Sequence, residues 1–202
     1  MEKLSSLSIS FDRVLIQLVM PGVVAIITWI PVILGDCSGL VKLLEHHSTT
    51  KQFLTSNFIT SISTLILIGL IVGMILENLG SLIESRIIDK ILSRKDANFY
   101  TTWFKYLRLN FDGNEPIGQR YISSIILRLK FELSFSLAIG SFTIGLISLN
   151  HNHEIFPWTC KNEFFFYVFP FIVAIYLLVE AYQSAKIIAK VRKELVEQYF
   201  IV

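Results

Sequence analysis

FITSISTLILIGLIVGMILENLGSLIESRIIDKILSRK, residues 58–95, changes character half-way along. Its first 19 residues, Phe58–Leu76, carry no charge. That is enough to cross a hydrocarbon core as a helix. The remainder places Ile83, Ile87, Ile88, Ile91 and Leu92 on one helical face, with Glu84, Arg86, Asp89, Lys90 and Arg94 elsewhere. No proline interrupts the join, so the whole reads as one helix of roughly 57 Å at a 1.5 Å rise per residue. The stretch reads as a membrane span that continues into water.

The rest of the chain fits that reading. Of its 202 residues 53% are hydrophobic, and the mean hydropathy is +0.60. An ordinary soluble domain is less apolar. Uncharged or nearly uncharged runs occur at Val14–Gly35, Phe58–Leu76, Leu133–Leu149 and Phe164–Val179. The expected fold class is therefore an all-α integral membrane protein, with four transmembrane helices and cytoplasmic helical extensions. A net charge of +2 says little about partners, but its distribution says more. Fifteen of the 18 lysines and arginines fall in the N-terminus, the segment Leu79–Lys130 and the C-terminal tail. Only Lys42, Lys51 and Lys161 fall in the other two loops. The positive-inside rule then puts both termini and the middle segment in the cytoplasm. The organisation expected is a first pair of spans over 1–78, a cytoplasmic helical segment over 79–130, a second pair over 131–182 and an amphipathic tail helix over 183–202. The first apolar run is too long for a signal peptide, follows a weakly basic lead and precedes no A-x-A site. The expected location is a bacterial inner membrane.

Within the spans, Pro21 leaves the carbonyl of Gln17 without its usual helical partner. It reads either as a kink that neighbouring helices stabilise or as a hinge. Gly69-x-x-x-Gly73 lets helix backbones approach closely. Ser134, Ala138, Ser141, Gly145 and Ser148 make a small, weakly polar stripe on the third span. Tight packing and a pore lining both fit these residues. The pore-lining candidates are Gly69, Gly73, Glu77, Ser134, Ser141, Gly145 and Ser148. Topology places Cys37 and Cys160 outside, where a disulfide between them is reasonable; two free thiols are the alternative. His46, His47, His151 and His153 lie on the same side, but their spacing matches no metal motif, and no metal or cofactor is assigned.

On the cytoplasmic side, Tyr121, Ile122, Ile125, Ile126 and Leu129 form one apolar stripe, and Ile187, Ile188, Val191 and Leu195 another. Such stripes should pack together as a small helical bundle. The connector FYTTWFKYLRLNFDGNEP, residues 99–116, interleaves aromatics with cations. Aromatic faces beside cations stack bases and neutralise phosphates; they also anchor helices at lipid headgroups or pack in a core. Arg86, Arg94, Trp103, Lys105 and Arg108 are the ligand-binding candidates. Glu77, Glu132 and Glu180 sit near the inner boundary, with Arg86, Arg128 and Arg192 in reach for ion pairs. An oligomer would instead turn such acids into rings that favour cations. Motifs of nucleotide hydrolases, serine hydrolases and zinc proteases are missing, and no catalytic residue is assigned.

Four spans, short outer loops, the ENLGSLIESR join at 77–86 and the basic-aromatic WFKYLRL at 103–109 together resemble the small membrane effectors of bacterial anti-phage systems. The layout looks most like the Hailong-type ion-channel effector. That resemblance covers the whole chain as architecture. It implies a homo-oligomeric channel, with a tetramer favoured, gated from the cytoplasm. Its ligand would be a nucleotide or oligonucleotide made by a partner nucleotidyltransferase. A non-conducting membrane scaffold or accessory subunit, and a membrane-embedded enzyme using Glu77, Glu84 or Glu132, are the alternatives.

Overall fold

The computed structural model describes residues 16–34, 49–108, 117–153 and 163–200. It is all-helical, with no strand among the described residues. The elements are α1 (Ile16–Ile26), α2 (Trp29–Leu34), α3 (Thr49–Ile83), a π-helical turn (Glu84–Ile88), α4 (Asp89–Lys95), α5 (Phe99–Leu107), α6 (Ile117–His153) and α7 (Glu163–Phe200). Three stretches are long and apolar enough to cross a membrane: Ile62–Lys95, Tyr121–Leu149 and Tyr167–Gln198. The chain divides into two compact units. Unit 1 comprises Met1–Glu77 and Ser134–Ile175, and unit 2 comprises Asn78–Leu133 and Tyr176–Val202. Unit 2 thus joins segments that the sequence separates into a middle section and a tail.

Unit 1 packs small residues inside and large aliphatic ones outside. Gly22 of α1 meets Gly69 and Gly73 of α3, and a Cβ at Gly22 would overlap the Gly69 carbonyl. Ala25, Leu76 and Ala138 form a small buried cluster. Ile66, Leu67, Ile71, Met74 and Ile75 of α3 and Phe169, Phe171, Ile172 and Ile175 of α7 are exposed. The first apolar run is not one continuous helix. α1 ends at Ile26 and a turn at Ile27–Thr28 precedes α2. Pro21 lies inside α1, fully buried, so the break falls downstream of it. Pro31 accounts for the position of the restart. In the first turn of α2 it occupies a place where the N–H has no intrahelical partner anyway. The turn is tied to α6: Thr28 Oγ1 donates to the Phe142 carbonyl at 3.2 Å, and Trp29 Nε1 donates to Ser141 Oγ at 3.1 Å.

Unit 2 has an ordinary hydrophobic core. Ile122, Ile125, Leu129 and Leu133 of α6 pack with Ala181, Ala185, Ile188 and Leu195 of α7, and Ile88, Leu92 and Phe99 close the cluster. The apolar stripes read from the sequence thus meet. Ile87, Ile91, Tyr121 and Ile187 do not join them and are exposed. The cause at Ile87 is the π-helical turn. There the backbone N–H of Asp89 bonds to the Glu84 carbonyl, five residues back. The wider turn rotates the helix beyond it, so Ile83 and Ile88, five apart, both reach the core. α4 then stops at Asp96, whose extended backbone ends the helix and whose Oδ1 accepts the Asn98 N–H at 2.9 Å. That sharp turn sends α5 back with Phe99 buried.

Candidate ligand-binding site

The same π turn builds a pocket. In a straight α-helix, residues five apart point roughly 140° away from each other. The five-residue bond of the π turn closes that angle, and Glu84 and Asp89 both line one cavity of about 210 Å³ in unit 2. α5 contributes Phe99, Tyr100 and Trp103, α6 contributes Ile126 and Lys130, and α7 contributes Ile188 and Arg192.

Arg192 is the centre of this arrangement. It is 7% exposed, and its Nε is buried without a hydrogen-bond partner. Its guanidinium sits 4.0 Å from the Trp103 ring centroid and 5.5 Å from that of Phe99. Cation–π contact of this kind offsets part of the cost of desolvating the charge. Burial is the main reason that its pKa falls to about 10; Asp89, Tyr106 and Glu84 hold it up against that fall. Arg192 therefore stays charged at neutral pH. The Glu84 carboxyl is pushed up by burial and then by Asp89, against the pull of Lys130 and Arg192. Burial likewise raises Asp89, with Arg192 opposing. All three groups lie outside the uncharged runs that would cross a membrane.

The two raised carboxyls have a sign that can be tested. A raised folded pKa makes a stability contribution that is full below the unfolded value and is lost as pH rises through the folded one. Wild type therefore carries a penalty at pH 7 that fades as the pH falls towards the ordinary carboxylate range. The Glu84→Gln protein lacks the Glu84 share. The melting temperature of wild type minus that of Glu84→Gln is expected to rise as the pH falls over that range. A flat or falling difference would contradict the burial of Glu84.

A second polar cluster lies in the same unit. Arg128 Nε donates to Glu132 Oε1 at 2.6 Å, and Arg128 Nη2 donates to Glu180 Oε2 at 2.8 Å. Ser184 Oγ donates to Glu132 Oε2 at 3.0 Å. Glu132 is buried and fully engaged, so this cluster reads as a clamp between α6 and α7. Of the boundary arginines, Arg128 makes the ion pairs expected of it, whereas Arg192 faces Asp89 and Glu84.

The sequence candidates are distributed unevenly around these features. Trp103 lines the pocket, while Arg86, Arg94, Lys105 and Arg108 are exposed and do not. Gly69 and Gly73 are taken up against α1, and Gly145 against Thr28 and Trp29. Ser134 is buried, and Ser141 donates to the Ala25 carbonyl at 3.3 Å. Glu77 and Ser148 are half-buried. Cys37 and Cys160 lie outside the described residues, and so do His46 and His47. Among the described residues no group of histidine, cysteine and acidic side chains is placed to hold a metal ion. The sequence reading missed Glu84 and Asp89 as a pair, Lys130, and the central place of Arg192. A signal for Arg192 was present: with Ile188 four before and Leu195 three after, it sits in the apolar stripe of α7. Comparison with known proteins finds no family model, curated protein or solved structure that matches the chain.

Proposed function

We propose that this chain is a bacterial inner-membrane protein with four spans and a cytoplasmic unit 2. We further infer that it assembles as a homo-oligomer, with a tetramer favoured, into an ion channel gated by a nucleotide or oligonucleotide. The observation that carries the membrane part is the inverted packing of unit 1. Thr28, Ser134, Ser136 and Thr143 are buried and Gly22, Gly69, Gly73 and Gly145 are packed inside, while most of its large aliphatics are outside. Water would strip such a surface of stability, whereas lipid covers it without cost. The gating part rests on the pocket in unit 2, a polar, aromatic-walled cavity with a buried, unsatisfied donor. Resemblance in layout to anti-phage effectors supplies the role in defence and the partner nucleotidyltransferase.

The described hydroxyls Thr28, Ser136 and Ser141 are engaged with helix carbonyls inside one chain. A conducting path in this reading therefore needs several copies, with Glu77 and Ser148 as its polar lining. The same engagement favours a second reading, a non-conducting membrane scaffold, because it assigns Gly69, Gly73, Ser141 and Gly145 to packing. Ion flux from liposomes carrying the purified protein separates the two. Flux above empty liposomes, changed by nucleotides or short oligonucleotides and made less cation-selective by Glu77→Gln, is expected of the channel. No flux from a folded, oligomeric protein under any of these conditions would overturn it in favour of the scaffold.

A further inference from the structure

The Arg192 pocket has a more specific complement. Its polar groups are of two kinds held side by side. Arg192 Nε–H is a buried donor with nothing to donate to. Glu84 and Asp89 are carboxylates brought to one side by the π turn, and both are half-buried. Lys130 also lines the cavity, so the acids and bases of the lining balance. An isolated anion gains nothing from such a site. A ligand that matches it offers an acceptor on one edge and adjacent N–H donors on the next. Its body is flat, since Tyr100 lines the cavity with half its surface open to solvent, whereas the Trp103 ring is covered by the Arg192 guanidinium at 4.0 Å and stacked with Tyr106.

The common nucleobases differ in this respect. Adenine and cytosine present one amino group and no ring N–H beside it. Uracil presents a single ring N–H. Guanine presents a ring N1–H and the N2 amino group together, with O6 and N7 as acceptors on the neighbouring edge. Arginine donation to O6 and N7 is the commonest specific protein contact to guanine. Two carboxylates beside one arginine thus complement guanine better than any other base. We propose that the pocket binds the guanine base of a nucleotide, Arg192 donating to O6 or N7 and Glu84 and Asp89 accepting from N1–H and N2–H. The base stacks at Tyr100, whose loss should cost binding and takes from the core the edge contact of Tyr100 with Phe99. This proposal rests on the nucleotide-gating reading above.

Calorimetric titration of the detergent-solubilised full chain with GMP, AMP, CMP and inorganic phosphate tests it directly, with no need for conduction. GMP is expected to bind at least ten-fold more tightly than AMP or CMP, and phosphate should not compete. Glu84→Gln, Asp89→Asn and Tyr100→Ala should each weaken GMP at least several-fold, and Arg192→Lys at least ten-fold. Tyr100→Ala keeps the test open if a pocket variant fails to fold, because Tyr100 is exposed. Equal binding of GMP and AMP, or GMP binding indifferent to Tyr100→Ala and Glu84→Gln, would overturn the proposal. Nucleotide binding lost instead on replacing Arg86, Arg94, Lys105 and Arg108 with Gln would also overturn it, while leaving nucleotide gating intact. Guanine-selective binding without flux in liposomes would retain the pocket and reject the channel.

Discussion

Gly22→Ala is expected to destabilise the protein by about 1–3 kcal/mol or more, seen as a melting temperature lower by roughly 5–10 °C in detergent. The added methyl would overlap the carbonyl of Gly69 and approach the backbone N of Gly73 at 2.8 Å. Both obstacles are backbone atoms of α3, so no rotamer change relieves them. α1 and α3 must move apart, and the contacts around Ala25 and Leu76 loosen with them. Gly73→Ala should behave alike, since its Cβ would overlap the Leu18 carbonyl. Gly140→Ala is the control. Nothing lies within 4 Å of a Cβ there, and alanine is the better helix former by about 0.5–1 kcal/mol. That variant should be neutral or slightly stabilised. Equal melting temperatures for Gly22→Ala and Gly140→Ala would rule out the close crossing of α1 and α3.

Much of this crossing was readable in the sequence, and its limits are instructive. The Gly69-x-x-x-Gly73 spacing announces a close approach, because two glycines four apart leave one helical face without side chains. The partner, Gly22, has no pattern around it and emerges only from the packing. The long helices and their apolar stripes were equally legible, since periodicity carries them. The break at Ile27–Thr28 was not. It depends on bonds from Thr28 and Trp29 to residues more than a hundred positions away. Local sequence pointed to Pro21, and tertiary contacts decided otherwise.

The pocket shows the same division more sharply. Trp103 could be picked out because an aromatic among cations has a recognisable chemistry. Glu84 and Asp89 could not be paired, because any reading that assumes 3.6 residues per turn sends them to different faces. One π-helical turn, which no proline or glycine marks in ESRII, reverses that conclusion and also turns Ile87 outward. Arg192 was visible as a charge within an apolar stripe. Its role was hidden because an arginine in such a place reads first as an ion-pair partner for nearby acids. The exposed cations Arg86, Arg94, Lys105 and Arg108 make none of the pocket.

Leu129→Ala is expected to cost about 2–5 kcal/mol, the range for truncating a fully buried leucine. Leu129 is 1% exposed and lies in the centre of the unit 2 core, between Ile125 and Leu133 on its own helix. Leu127, two residues away, is 38% exposed, and Leu127→Ala should cost well under half as much. Comparison with Ile139 of unit 1, 9% exposed, extends the argument to the membrane. If unit 2 folds in water, Leu129→Ala loses transfer free energy and leaves a cavity. If unit 1 folds in lipid, its unfolded helices are already in an apolar solvent, so Ile139→Ala loses packing contacts and little else. Leu129→Ala should therefore destabilise by clearly more than Ile139→Ala when unfolding is followed in lipid bicelles, by protease cleavage or by circular dichroism. Equal losses would place the two cores in the same solvent, and the membrane assignment of unit 1 would have to be withdrawn.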